Sequence, residues 1–118
     1  MTASEFAAYG NRVTVADGVW GTFLQQSGAA PGELVELWNV RRPDDVARAA
    51  TACLAAGAQI VLTNTFRANR FELAKARAAS QLAEVNLAGA RLAREAVTGL
   101  ARDASRGAAP VRVVGICA

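Results

Sequence analysis

Three hydrogen-bonding side chains in a row, Thr63-Asn64-Thr65, follow the apolar run Ala58-Gln59-Ile60-Val61-Leu62 and precede Phe66. The run is entered through Ala56-Gly57, is too short for a helix and contains β-branched residues, so it reads as a strand buried on both faces. Polar groups at the carboxyl end of such a strand stand where α/β proteins place their ligands. The same residues would equally serve to cap and close a loop, and spacing does not separate the two readings. A second pair of this kind is Asp17-Gly18, at the end of the short run Val13-Thr14-Val15-Ala16. An Asp at a strand's carboxyl end followed by Gly is a weak motif by itself, since Asp-Gly is also a common turn pair.

The elements that must carry these residues can be read in order. Met1 to Asn11 has no sustained period and reads as a frayed leader or a short helix. Val13–Ala16 reads as a first strand, and Val19 to Val40, with Gly21, Gly28, Pro31 and Gly32, as a long structured loop. Pro43 suits the first turn of a helix whose positive end Asp44 and Asp45 complement. Val46, Ala49, Ala50, Cys53 and Leu54 form its apolar stripe, and Gly57 ends it. After the central strand, Phe71 to Ala79 reads as a short helix, followed by a longer one capped by Ser80 and reaching about Ala104. Leu82, Val85, Gly89, Leu92, Ala93, Ala96 and Leu100 run along one side of it, with Asn86 beside the stripe, either facing solvent or holding a loop. Ser105 to Pro110 reads as a turn and Val111 to Cys117 as a third strand.

Short apolar strands separated by helical crossovers predict a parallel sheet, either doubly wound or part of a (β/α)₈ barrel. No G-x-G-x-x-G or phosphate-binding G-x-x-x-x-G-K-[ST] follows any strand, which removes the commonest reason to expect a nucleotide site. The 118 residues are 53% hydrophobic and 19% charged, in the range of one globular domain. No run approaches the roughly 20 apolar residues of a membrane span, and no basic segment followed by an apolar one opens the chain, so a cytoplasmic protein is expected. Two cysteines make no disulfide framework, in keeping with a reducing compartment. The net charge of +3 is modest and spread mostly over helices beside acidic residues, so it argues weakly if at all for nucleic acid, and no nucleic-acid partner is expected. The basic stretch Arg67 to Arg77, with Phe66 and Phe71, could stack on a single strand, but the spacing of its aromatics also suits packing.

Taken together, Asp17-Gly18-x-x-Gly21-Thr22-x-Leu24-Gln25, Asn39, Arg42-Pro43, Ala56-Gly57-Ala58, Thr63-Asn64-Thr65-Phe66, Asn69 and Asn86 resemble the opening of the zinc-dependent homocysteine S-methyltransferase family. The likeness runs from about Val13 to Gly115. It implies an α/β fold, the N-terminal part of a (β/α)₈ TIM barrel with about three strands, forming one partial homocysteine-binding domain over 1–118 that stops after strand 3. It implies transfer of a methyl group to a zinc-bound thiolate to make methionine, with betaine, S-methylmethionine, S-adenosylmethionine or a methylated corrinoid as the methyl donor.

Position by position, the resemblance makes Asp17 the partner of the amino group of homocysteine, with Gly18 beside it. Thr63 and Phe66 then line the pocket, and Asn64 and Thr65 shape the turn between them. Leu62, where many members carry glutamate, Arg67, where a smaller residue is usual, and the ending Gly115-Ile116-Cys117-Ala118 depart from the family pattern and leave the thiol acceptor open. In the family zinc is held by cysteines of late strands. The resemblance therefore places no metal ligand and no catalytic residue in this chain, which has no histidine and only Cys53 and Cys117. A full barrel takes roughly 250 residues. The chain is thus expected to be inactive alone, and either to self-associate or to require a chain supplying the remaining strands, as a truncated enzyme or as a non-catalytic remnant or subunit.

Overall fold

The computed structural model of the chain describes residues 2–18, 20–102 and 110–118. Helix α1 (Ala3–Tyr9) opens it, closed at its start by a capping box in which the Thr2 side chain accepts from the Glu5 amide and Glu5 accepts from the Thr2 amide. Helix α2 (Trp20–Gln26), a 3₁₀ turn (Val35–Leu37) and the single-turn α3 (Trp38–Arg41) occupy much of the region expected to be loop. Its composition hid them, because elements of seven residues or fewer show too few turns for a period to appear. Helix α4 (Pro43–Ala55) has Pro43 at its start and two acidic residues in its first turn, and it buries Val46, Ala49, Ala50 and Leu54. Cys53 is only half-buried. The helix ends where Gly57 takes a φ of 110° and the Ala58 amide bonds back to the Cys53 carbonyl at 3.1 Å, a left-handed turn that a side chain would strain.

Strand β1 (Ile60–Leu62) pairs in parallel with β2 (Arg112–Val114), Val61 opposite Val113. The expected first strand is reduced to one parallel bridge, Ala16 to Ile60, with the Gln59 and Ile60 amides both bonded to the Val15 carbonyl. The spatial order is therefore the 13–16 segment, β1, β2, all parallel and in chain order. Val13 is 89% exposed and Val15 53% exposed, so the burial that would have held a longer strand is lacking at this edge. The third strand is likewise three residues long rather than seven. Nor is β1 sealed on both sides: Val61 is fully buried, while Ile60 and Leu62 are half-buried.

Helix α5 (Arg70–Lys75) is shorter than expected and is capped by Asn69, which accepts from the Phe71 and Glu72 amides at 3.0 Å. A 3₁₀ turn (Ala79–Gln81) leads into α6 (Leu82–Ala101). Ser80 lies inside that turn and does not cap α6. The expected continuation of α6 to Ala104, and the turn from Ser105 up to Pro110, fall outside the described residues.

Helices α4 and α6 pack together over the Val61 face of the sheet, joining Ala50, Leu54, Val61 and Ala93 in one apolar cluster with Val113 at its margin. Two further clusters carry the core away from the sheet. One gathers Leu24, Val35, Trp38, Val46 and Ala49; the other gathers Leu34, Leu37, Leu73, Ala78 and Val85. The seam of α6 is Val85, Gly89 and Ala93, one residue per turn. At Gly89 an added Cβ would lie 2.7 Å from Asn39 Nδ2 and 2.8 Å from Thr65 Cγ2, so the helix rests directly on the loop that follows β1.

Candidate functional site

At the carboxyl end of β1 the chain makes a tight, fully bonded loop. Thr63, Asn64 and Thr65 are all buried. The Thr65 hydroxyl donates to the Ile116 carbonyl at 2.6 Å, so its oxygen receives the proton of Thr63, also at 2.6 Å. Thr63 in turn accepts the Ile116 amide at 3.3 Å, which closes a ring between the end of β1 and the segment after β2. Asn64 Nδ2 donates to the Val35 carbonyl and to Asn39 Oδ1, both at 3.0 Å. Asn39 Nδ2 donates to the Asn64 carbonyl at 2.7 Å and to the Val85 carbonyl at 3.1 Å. Asn86 Nδ2 holds the Ala68 carbonyl at 2.8 Å, so this amide braces a loop rather than facing solvent. Each of these bonds satisfies a group that burial would otherwise leave unpaired.

These residues border an apolar cavity of about 420 Å³, lined among others by Gly18, Trp20, Glu33, Val35, Glu36, Leu62, Thr63, Asn64, Thr65, Phe66, Arg67 and Ile116. Of the residues singled out from sequence, Gly18, Thr63, Asn64, Thr65 and Phe66 thus meet on one cavity, with Phe66 half-exposed. Asp17 is not among the lining residues. It is tied to them through Oδ2, which accepts the Leu62 amide at 3.0 Å. Its other oxygen, Oδ1, is buried without a partner among the described residues. Burial pushes the Asp17 carboxyl above the usual carboxylate range, opposed first by the Leu62 N–H and then by the nearby Trp20 indole. That indole N–H is itself buried and has no hydrogen-bond partner among the described residues.

The polar side chains that drew notice in the sequence are therefore engaged mainly in shaping the loop. Among the described residues, the buried acceptors left without protein partners are the Thr14 hydroxyl and one oxygen each of two carboxylates, Asp17 and a residue the sequence reading passed over, Glu36. The signal for Glu36 was a single charge inside the apolar run Leu34-Val35-Glu36-Leu37-Trp38. Arg42-Pro43 is structural: the Arg42 guanidinium stacks 3.7 Å over Trp38, bonds Asp45 at 2.8 Å and holds the Ser27 carbonyl at 3.1 Å.

A metal finds no fit among the described residues, where no three His, Cys, Asp or Glu side chains gather; Cys53 is half-buried on α4 and Cys117 is exposed beyond β2. No described helix is long and apolar enough to cross a membrane.

Residues 14–118 match the family model for homocysteine S-methyltransferase, and the chain belongs to that family. Among solved structures, the fold is similar to the metallated form of the homocysteine methyltransferase MmuM from Escherichia coli, with a TM-score of 0.77 at 20% identity. The match covers 92% of this chain and 39% of that one, so this chain spans well under half the length of that enzyme. No curated protein shows a significant match to the sequence.

Proposed function

We propose that this chain is the amino-acid-binding portion of a homocysteine S-methyltransferase: about three strands, over 1–118, of a (β/α)₈ barrel acting on homocysteine or a related thiol in the cytoplasm. The observation that carries the reading is the cavity at the carboxyl ends of parallel strands, walled by Gly18, Thr63 and Phe66 and flanked by a half-buried carboxylate, Asp17, with one free oxygen. An ammonium ion binding at such a pocket needs an anionic partner, and Asp17, behind the cavity wall, would supply it by turning Oδ1 out of its buried position, while Gly18 keeps the approach clear. The Leu62 N–H holds the carboxylate in place. The Thr63–Thr65–Ile116 ring fixes the floor against which the rest of the amino acid lies.

The described residues offer no ligand set for the zinc that the family resemblance implies. What this chain contributes, on this reading, is the holding of the amino-acid end. A second reading is a non-catalytic subunit that completes a barrel with a partner chain, whose strands would add at the outer edge of β2, unpaired among the described residues.

The test compares methionine formation from homocysteine by the 118-residue chain alone, by a polypeptide in which it is continuous with the remaining strands of a relative, and by the two parts mixed. Turnover is expected only in the continuous and mixed forms, and turnover by the chain alone overturns the reading. Activity of the mixture with stable co-elution would select the subunit reading. In the active form Asp17→Asn is expected to raise KM for homocysteine by about tenfold or more, since a charge-assisted hydrogen bond contributes on the order of 1.5–3 kcal/mol.

A further inference from the structure

Arg67 is the one cation among the described residues lining the cavity, at a position where the chain departs from the family pattern. Its backbone is fixed: the amide donates to Glu36 Oε1 at 3.0 Å, just after the half-exposed Phe66. Its side chain is freer. It is 40% exposed and donates through Nη2 to Glu72 Oε2 at 2.8 Å, and its other donors make no bond among the described residues. Glu72 does not depend on it. Lys75 Nζ holds Oε1 of the same carboxylate at 2.6 Å, and that bond, ahead of the one from Arg67, keeps the Glu72 carboxyl below the usual carboxylate range. Arg67 can therefore turn away from Glu72 without leaving a bare charge, and a half-exposed ion pair holds its partners only weakly.

The surroundings favour an anion. From Arg67 to Arg77 four basic residues stand beside a single acid, Glu72, so this stretch alone carries a charge equal to the net +3 of the whole chain. Arg70 enters no ion pair among the described residues; its guanidinium lies 4.7 Å from the Phe71 ring. The cavity of about 420 Å³ has room for roughly fourteen waters, more than homocysteine alone would fill.

Resting on the functional reading above, which seats the amino acid against Gly18 and Thr63, we propose that Arg67 selects the methyl donor: its guanidinium turns to the cavity and takes the donor's carboxylate in a pair of hydrogen bonds. A planar fork suits a carboxylate in this way. The donor is then a small onium compound that carries a carboxylate, not a methylated corrinoid.

The test is an NMR titration of the chain, following the Arg67 Nε–Hε signal and the backbone amides of the cavity, with homocysteine, betaine, S-methylmethionine and choline, in which a hydroxymethyl group replaces the carboxylate of betaine. The wild-type chain is expected to bind betaine or S-methylmethionine about tenfold or more tightly than choline. Arg67→Gly should weaken that donor roughly tenfold and leave choline and homocysteine unchanged. Glu72→Gln, which frees the guanidinium, should leave donor binding intact or strengthen it. If Arg67 only braced the loop through Glu72, the two variants would weaken the donor equally, and that result overturns the proposal. So does donor binding indifferent to Arg67, or weakening of homocysteine in place of the donor. Should Arg67→Gly fail to fold, Arg67→Gln, which keeps a donor for Glu72, reads the same loss. Homocysteine binding with no binding of either donor overturns the proposal alone. Arg67-dependent donor binding without homocysteine binding removes the functional reading and keeps the carboxylate site. No binding of any of the four compounds removes both.

Discussion

At the end of β1, the polar side chains of Thr63, Asn64 and Thr65 all hydrogen-bond within the protein, to Ile116, Asn39, Val35 or one another. One strand position away, the segment carrying Asp17 is held by a single bridge and a few amide contacts. Thr14 Oγ1 and Asp17 Oδ1 are buried there without partners among the described residues. The first region is a rigid floor, and the second keeps its binding capacity unsatisfied. Side chains that complete a fold are poor candidates for gripping a ligand, because the ligand would have to break bonds already made. The groups free to bind are the ones that cost stability in the empty chain.

Three substitutions probe this contrast. The largest effect is expected at the hub of the rigid region. Asn39→Asp replaces two donated bonds, to the Asn64 and Val85 carbonyls, with carboxylate oxygens facing those carbonyls in a buried site. Loss of about 3 kcal/mol or more is expected, seen as a fall in Tm on the order of 10 °C, and a melt within a degree or two of wild type would show that the amide network does not hold the floor.

Gly89→Ala acts on the same floor from behind. Its Cβ, under 3.0 Å from both Asn39 and Thr65, must displace one of them. Overpacking of about 1–3 kcal/mol is only partly offset by about 1 kcal/mol of helix propensity, so urea denaturation should find a net loss of about 1–2 kcal/mol. A stabilised variant would mean that α6 does not press on the loop.

The smallest effect, and the opposite sign, is expected in the unsatisfied region. The Asp17 carboxyl is raised in the folded chain, so the folded state binds more protons than the unfolded one between the ordinary carboxylate value and the raised one. Its contribution to stability is therefore present at low pH and lost as pH rises through that window. Asp17→Asn should remove this loss, making the empty chain slightly more stable than wild type at pH 7 and equal to it in acid. Thermal melts of both proteins across pH check it; a variant less stable at neutral pH would place Asp17 among the bracing residues.

Several features were legible without coordinates because they depend on local chemistry. The helix from Pro43 to Gly57 follows from a starting proline, first-turn acids, a 3.6-residue apolar period and a glycine stop, all acting within a few residues. The stripe Val85, Gly89, Ala93 follows from the same period over a long helix. The parallel order of the strand segments followed from helical crossovers between them. It was the family resemblance, not spacing, that grouped Gly18, Thr63 and Phe66, and the three border one cavity.

What the sequence could not decide was how long each strand runs and which polar side chains are free. Strand length here depends on what covers the strand. Val13 and Val15 have strand-forming side chains but lie exposed at an edge, where propensity has no packing to reinforce it. The fate of a hydroxyl, an amide or a carboxylate depends on partners far along the chain: Asn39 and Asn64 lie 25 residues apart, Thr65 and Ile116 lie 51 apart, and Glu36 reaches the Arg67 amide across 31. Residue type fixed how many hydrogen bonds each group could make. Only the tertiary structure decided which of them the protein makes itself and which, at Asp17 and Glu36, it leaves open.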